Sequence, residues 1–201
     1  MILIIDFGSQ FNQLIARRVR ELHVYCQIEP PGISTDEVKA LEPEGIILSG
    51  GPASIYEKNS PKTDPAIFDL GIPVLGICYG MQFMVAGLGG TVEKAGKREY
   101  GFAELEVKKT EGFFEGVKKK STCWMSHGDS ITKLPAGFKA MASTANTKFA
   151  AATYKKKKLF GVQFHPEVVH TRMGKKILYN FLYNICGCKR SWTMKSFAKQ
   201  S

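Results

Sequence analysis

A single cysteine stands between two glycines where an apolar run gives way to a helix-like one. The run Val74-Leu75-Gly76-Ile77 precedes Cys78, and residues 79–88 follow with helical spacing. Gly76-x-Cys78-x-Gly80 is the thiol counterpart of the Gly-x-Ser-x-Gly turn that exposes a nucleophile. The first N–H groups of the following helix favour a thiolate and can donate to a developing oxyanion. We therefore predict that Cys78 is a nucleophile; the alternative is a buried cysteine whose glycines serve packing alone.

A histidine and a carboxylate follow a second apolar run. His165-Pro166-Glu167 comes directly after the strand predicted at residues 159–164. Pro166 disfavours helical backbone at His165, and residues i and i+2 of an extended chain point the same way. Because a thiol nucleophile needs a base and the base needs an orienting group, we predict these roles for His165 and Glu167. The alternative is a histidine with a purely structural role.

Two glycines also follow a third apolar run, in Ser49-Gly50-Gly51-Pro52. Glycine lets the backbone come close to a ligand. The N–H of Gly51 could join the N–H of Tyr79 as a two-donor oxyanion hole, although a simple glycine turn is the alternative. A phosphate loop is disfavoured because no Gly-Lys-Ser/Thr follows.

Short apolar strands alternate with amphipathic helices up to residue 88, which is typical of β-α-β units with a parallel sheet covered on both faces. From residue 90 onward, strand-like runs separated by turns indicate an antiparallel or mixed region. The predicted fold class is α/β, an open, mostly parallel, flavodoxin-like sheet with helices on both faces and this added region. Strands are expected at 2–5, 24–28, 45–48, 74–77, 100–107, 122–125, 131–134, 138–143, 149–154 and 159–164, and helices at 10–22, 36–41, 64–70, 79–88 and 171–186.

The composition is that of an ordinary globular domain. The 201 residues are 44% hydrophobic and 23% charged, and no apolar run reaches the roughly 20 residues that span a bilayer. The first residues resemble a strand rather than a signal peptide, so we expect a cytoplasmic protein with no membrane partner. Five scattered cysteines do not suggest a disulfide framework. Cys186-Gly187-Cys188 could be half of a metal site or simply a helix end, and no metal is expected.

The net charge of +10 is partly carried by two lysine runs, at residues 118–120 and 155–158. A basic chain raises the hypothesis of nucleic-acid binding. Aromatic residues do not interleave with these lysines as a base-stacking surface would require. We therefore expect solvated turns, the second at a hairpin tip, and no nucleic-acid partner.

Three stretches in this order, "ILSGGP", "GICYGMQ" and "GVQFHPEV", resemble the triad type of class I glutamine amidotransferase. The resemblance covers about residues 1–190. It implies that Cys78 attacks the side-chain amide of L-glutamine, forming a γ-glutamyl thioester and releasing ammonia. His165 would be the general base and then the acid, Glu167 would orient it, and Gly51 and Tyr79 would supply the oxyanion hole.

The resemblance also implies a set of substrate-binding residues. Gln82, one helical turn after the nucleophile, would help to hold the substrate. Ser126 and His127 would meet the α-amino and α-carboxylate ends of glutamine, largely through their backbone, and Asp129 belongs to the same segment.

The resemblance implies that the ammonia is used elsewhere, by an ATP-dependent synthetase domain or subunit. The "SGGVDS" segment of such a synthetase is missing here, so ATP and magnesium are implied for the partner and no cofactor for this chain. We expect an amidotransferase domain over residues 1–188 and a linker-like tail over 189–201, either as an excised domain or as a free subunit. The carboxyl-end face of the sheet would dock on the synthetase, with Lys97, Arg98 and Arg172 as candidate contacts or as plain surface charge. Rival hypotheses are a γ-glutamyl hydrolase or deamidase on the same fold, and a non-enzymatic binding module.

Overall fold

Nine strands form one sheet in the order β2-β1-β3-β4-β9-β8-β7-β5-β6. The computed structural model describes residues 1–190 and 192, with only the main chain of Lys97. The strands are β1 Ile2–Ile5, β2 Cys26–Glu29, β3 Gly45–Leu48, β4 Val74–Ile77, β5 Thr91–Val107, β6 Lys120–Lys133, β7 Lys139–Ser143, β8 Ala151–Tyr154 and β9 Leu159–Val162. The helices are α1 Asn12–Glu21, α2 Thr35–Ala40, α3 Tyr79–Gly87 and α4 Gly174–Tyr179.

One half of the sheet is parallel and buried on both faces. Strands β2, β1, β3, β4 and β9 pair in parallel, and every residue of β1, β3, β4 and β9 is buried. Alternate residues of β1 enter two separate cores: Ile2 and Ile4 pack on the α1 and α4 side, and Leu3 and Ile5 on the α2 and α3 side. This explains why these strands are continuously apolar rather than alternating.

The other half, β8, β7, β5 and β6, is antiparallel, so the predicted fold class is confirmed. The lysine run at 155–158 forms the predicted tip between β8 and β9. Ser34 caps α2 through a capping box with Glu37. Gly187 takes a left-handed conformation with φ +70°, which ends the last helix between its two cysteines.

Four sequence-based expectations are wrong. The strand predicted at 100–107 begins at Thr91, and β5 runs from there to Val107. The strands predicted at 122–125 and 131–134 are one strand, β6, because residues 126–130 continue its pairing with β5. The helix predicted at 64–70 is a 3-10 turn, Pro65–Asp69. The last helix begins at Gly174 rather than residue 171, and after Tyr179 it continues as a π-helix, Asn180–Ile185. Gly174 lies so close to Pro166 that a Cβ would be 2.0 Å from the Pro166 carbonyl oxygen, which fixes where this helix starts.

The predicted tail, residues 189–201, lies outside the described residues except for 189, 190 and 192. Among the described helices, none has both the length and the apolar character needed to cross a bilayer.

Candidate active site

Cys78 occupies a strained turn between β4 and α3. Its backbone has φ 51° and ψ −107°, which is uncommon for a residue other than glycine. A Cβ on Gly76 would lie 2.7 Å from main-chain atoms of Gly80, so a larger residue there would collide across the turn. A Cβ on Gly80 would instead meet the Leu48 carbonyl oxygen of β3 at 2.5 Å. The two glycines therefore allow α3 to pack directly against the sheet behind the thiol.

The strand order brings Cys78 and His165 together. The Cys78 N–H donates to the Val162 carbonyl at the end of β9, at 2.8 Å. His165 follows β9, and its own N–H donates to the Trp124 carbonyl of β6 at 3.0 Å. Gly50 lies between the two side chains, since its Cβ would be 3.2 Å from Cε1 of His165 and 3.7 Å from Cβ of Cys78. The thiol and the imidazole thus meet at the carboxyl ends of neighbouring parallel strands, where ligands bind in such sheets.

Glu167 contacts the imidazole of His165 directly. Its Oε1 lies 2.7 Å from Nδ1 of His165, and the carboxylate is fully buried. Two further contacts hold this segment: the Thr171 hydroxyl donates to the His165 carbonyl at 2.6 Å, and Nε of Arg18 donates to the Glu167 carbonyl at 2.9 Å. The sequence analysis missed both residues because their contribution depends on tertiary contacts.

The pKa of His165 is strongly perturbed. Burial lowers it, but the neighbouring Cys78 side chain and the Glu167 carboxylate outweigh burial and raise the pKa from 6.5 to about 10. The imidazole is therefore protonated at neutral pH. A protonated imidazole beside a thiol favours the thiolate, the form that attacks carbonyl carbon.

Gln163 is a residue of the site that the sequence analysis missed. It is fully buried, and its Nε2 donates to Sγ of Cys78 at 3.6 Å. Its Oε1 accepts from Nε2 of Gln82 at 3.2 Å, and the same nitrogen of Gln82 donates to the Asp129 carbonyl at 3.1 Å. Gln82 therefore connects the thiol's surroundings to the 126–129 segment.

The two predicted oxyanion-hole amides have no hydrogen-bond acceptor within the described part of the chain. Tyr79 provides the first N–H of α3, which the helix leaves without an intrahelical partner. Gly51 lies so close to Phe7 that a Cβ would be 2.5 Å from the Phe7 carbonyl oxygen, so only glycine fits there without a shift. Both N–H groups are available to a ligand.

A cavity of about 650 Å³ opens beside the thiol. The predicted site residues Gly51, Cys78, Tyr79, Gln82, Ser126, His127 and Asp129 all line it. The Cys78 Sγ lies 3.5 Å from the Ser126 carbonyl, so the 126–129 segment borders the reacting atom. The His127 side chain is buried and turned away: its Nδ1 lies 2.8 Å from the Asp129 carbonyl. Burial lowers the pKa of His127, the direction opposite to that of His165.

Of the basic residues predicted to contact a partner, Arg98 lines this cavity, whereas Arg172 lies on a different surface with Thr122 and Lys120. The side chain of Lys97 is outside the described part of the chain. Within residues 1–190 and 192, no group of three His, Cys, Asp or Glu side chains is gathered as a metal site would require.

The sequence also carries a narrower resemblance. The opening "ILIIDFGSQFNQLIARRVRE", "WMSHGD" and "HPEVVHT" resemble the amidotransferase domain of GMP synthetases. The chain is 56% identical over 196 residues to the glutamine-hydrolysing GMP synthase of Brachyspira hyodysenteriae, and 55% identical over 201 residues to that of Acetivibrio thermocellus. It covers only 38% and 39% of these relatives, respectively, although they match 98% and 100% of the chain.

Solved structures show the same fold. The crystal structure of a proposed GMP synthase subunit from Thermoplasma acidophilum matches with a TM-score of 0.84 and 32% identity, covering 100% of this chain and 97% of the other. A glutamine amidotransferase from Thermotoga maritima matches with a TM-score of 0.72 at 20% identity, covering 92% and 97%, respectively. The family model for class I glutamine amidotransferases matches residues 3–185. The chain belongs to the class I glutamine amidotransferase family.

Proposed function

We propose that this chain hydrolyses L-glutamine to glutamate and ammonia through a γ-glutamyl thioester on Cys78. The observation that carries the proposal is the thiol at a strained strand end, beside a buried imidazole–carboxylate pair and an open cavity. The raised pKa of His165 supports a protonated imidazole beside the Cys78 side chain. In this proposal His165 acts first as an acid, because it already holds the proton that a general base would have to remove.

The first half of the reaction forms the thioester. The Cys78 thiolate attacks the amide carbon of the glutamine side chain, and the carbonyl oxygen becomes an oxyanion that accepts from the Gly51 and Tyr79 amides. The His165 imidazolium then donates its proton to the amide nitrogen. The C–N bond breaks, ammonia leaves, and the oxyanion collapses to the thioester.

The second half releases glutamate. Neutral His165 takes a proton from a water molecule as the water oxygen attacks the thioester carbon. The C–S bond then breaks, the thiolate returns and glutamate leaves with the oxygen from water. Glu167 stabilises the imidazolium in both halves and keeps Nδ1 as a donor, so that Nε2 faces the reacting atoms.

We further propose that the ammonia passes to an ATP-dependent synthetase domain or subunit that converts XMP to GMP. The relatives are glutamine-hydrolysing GMP synthases, and this chain covers only a small share of their length; both facts support this partner. ATP and magnesium would belong to the synthetase, and this chain would need no cofactor. Five free cysteines fit a reducing compartment, so the proposed location is the cytoplasm.

The test is labelling with the glutamine mimic diazo-oxo-norleucine, which alkylates an activated thiol, followed by intact-mass measurement and peptide mapping. We expect one adduct on Cys78, blocked by excess glutamine and lost in His165→Ala. Adducts spread over several of the five cysteines would refute an activated thiol. Absence of any adduct, even with a GMP synthetase ATP-pyrophosphatase part, XMP and ATP present, would refute the proposed function. Steady hydrolysis of γ-glutamyl peptides in preference to glutamine would favour the rival hydrolase.

A further inference from the structure

A second buried carboxylate–imidazole pair lies behind the candidate active site. Glu99 of β5 and His127 of β6 are directly opposite each other in the antiparallel ladder, and both are buried. Oε2 of Glu99 lies 3.7 Å from Nε2 of His127. A charged side chain is rarely buried unless it is paired, so this arrangement requires an explanation.

A turn after β7 holds the Glu99 carboxylate. The Thr144 hydroxyl lies 3.0 and 3.1 Å from its two oxygens, and the Thr147 hydroxyl donates to Oε2 at 2.6 Å. The turn itself is closed by the Thr147 N–H, which donates to Oγ1 of Thr144 at 3.0 Å. Nε2 of His127 lies 3.3 Å from Oγ1 of Thr147.

The second ring nitrogen of His127, Nδ1, contacts the main chain that lines the cavity. Nδ1 of His127 lies 2.8 Å from the Asp129 carbonyl, which also accepts from Gln82. That carbonyl ends the segment 126–129, whose first member, Ser126, contacts the nucleophile through its own carbonyl. A continuous set of contacts therefore runs from the 144–147 turn through Glu99 and His127 to the main chain around the cavity.

The strand pairing shows why this segment needs an anchor. Lys94 pairs with Asp129 and Glu99 pairs with His127, so residues 95–98 of β5 lie opposite Gly128 alone. The ladder is therefore interrupted at Gly128, on the rim of the cavity, where the register between β5 and β6 shifts. Glu99 is the first residue at which pairing resumes.

We propose that Glu99 and His127 form a positioning pair that fixes the 126–129 main chain to recognise the α-ammonium and α-carboxylate of glutamine. The pair does not touch the reacting atoms; it acts through the Asp129 carbonyl. This inference rests on the proposed function, and it adds Glu99, Thr144 and Thr147 to the residues on which glutamine affinity depends. A main chain already fixed before binding reduces the entropy lost when substrate is oriented.

The test separates glutamine recognition from thiol reactivity. Labelling of Cys78 by diazo-oxo-norleucine is followed at increasing reagent concentration in the unsubstituted protein, Glu99→Gln and Thr147→Val, with the synthetase part, XMP and ATP present. Alkylation of Cys78 by iodoacetamide, which lacks the α groups, is followed in parallel. Thr153→Val is the matched control, since the buried hydroxyl of this β8 residue donates to the Leu159 carbonyl of β9, away from the cavity.

For Glu99→Gln we expect the half-saturating concentration of diazo-oxo-norleucine to rise about tenfold or more, since hydrogen bonds to a charged group are lost. For Thr147→Val we expect a rise of about threefold. The maximal labelling rate, the iodoacetamide rate and the Thr153→Val control should stay within about twofold of the unsubstituted protein, because the triad is left intact.

An unchanged half-saturating concentration in Glu99→Gln would overturn the inference, and so would a parallel fall in the iodoacetamide rate, which indicates general loss of structure. If Glu99→Gln does not fold, Thr147→Val decides by the same criteria. Lack of labelling in the unsubstituted protein would refute the proposed function and the inference with it. Normal labelling that is insensitive to Glu99 would refute the inference alone.

Discussion

Substitution of Gly80 by alanine tests whether close packing of α3 on β3 builds the nucleophile turn. The added Cβ would lie 2.5 Å from the Leu48 carbonyl oxygen, where ordinary contact begins at 3.4 Å. Neither partner can rotate away, because the Cβ is fixed to the helix backbone and the oxygen belongs to a central strand. The helix must therefore move by about 0.9 Å. This movement takes the Gly80 N–H away from the Ser49 carbonyl, to which it donates a hydrogen bond at 3.1 Å.

Two effects of opposite sign compete in Gly80→Ala. Helix propensity alone stabilises alanine over glycine by roughly 0.5–1 kcal/mol. Overpacking against backbone costs typically about 1–3 kcal/mol. We expect overpacking to dominate because the clash is with main-chain atoms, giving a net loss of about 1–2 kcal/mol and a Tm lower by roughly 3–8 °C.

We expect Gly80→Ala to reduce the rate of Cys78 labelling more strongly than it reduces stability. A displacement of about 1 Å at a reacting group can reduce a rate by about 100-fold. Thermal unfolding and the rate of Cys78 labelling by diazo-oxo-norleucine measure the two effects on the same samples. Gly32→Ala is the control, since no atom lies within 4 Å of its Cβ. If Gly80→Ala is more stable than the unsubstituted protein and is labelled at the same rate, the steric explanation of the turn is wrong.

Three further predictions concern single contacts. Because the pKa of His165 is raised from 6.5 to about 10, its stabilisation is complete below pH 6.5 and is lost as pH rises through 10. The unfolding free energy, measured with urea, should decline less between these two pH values in Glu167→Gln than in the unsubstituted protein. Equal declines would contradict the role of Glu167 in raising the pKa of His165. Ser34→Ala removes the capping box of α2 and should lower the unfolding free energy by about 1 kcal/mol in the same assay. An unchanged unfolding free energy would contradict this prediction. Thr171→Val leaves the His165 carbonyl and the Trp124 N–H without their partner, and should cost about 1–3 kcal/mol and slow Cys78 labelling; a slowed rate without lost stability would mean that Thr171 acts otherwise.

The parallel half of the sheet could be predicted from local sequence because burial on both faces leaves a continuous apolar run. Strands β3 and β4 begin and end where expected, at Gly45–Leu48 and Val74–Ile77. The residues that follow each parallel strand necessarily share one edge of the sheet, so Cys78, His165 and Gly51 could be brought together without coordinates.

The antiparallel half contains what the sequence could not show. Ser126 to Asp129 have the composition of a turn, and they remain extended only because β5 pairs with them. Glu99 is one charged residue among many, and its burial depends on hydroxyl groups 45 and 48 residues away. Gln163 belongs to an apolar stretch, and its amide reaches the thiol only through a contact 85 residues distant in the chain.

The position of β9 beside β4 also determines when, during synthesis, the site first exists. β9 is the last of the nine strands in the described part of the chain, yet it pairs directly with β4, which precedes the thiol. At ~5–20 residues per second, the 85 residues between Cys78 and Gln163 take roughly 4–17 s to make. Throughout that interval the nascent chain contains Cys78 but still lacks Gln163, His165 and Glu167. If the proposed function holds, incomplete chains release no ammonia, and reaction with a glutamine mimic is expected only after β9 has paired with β4.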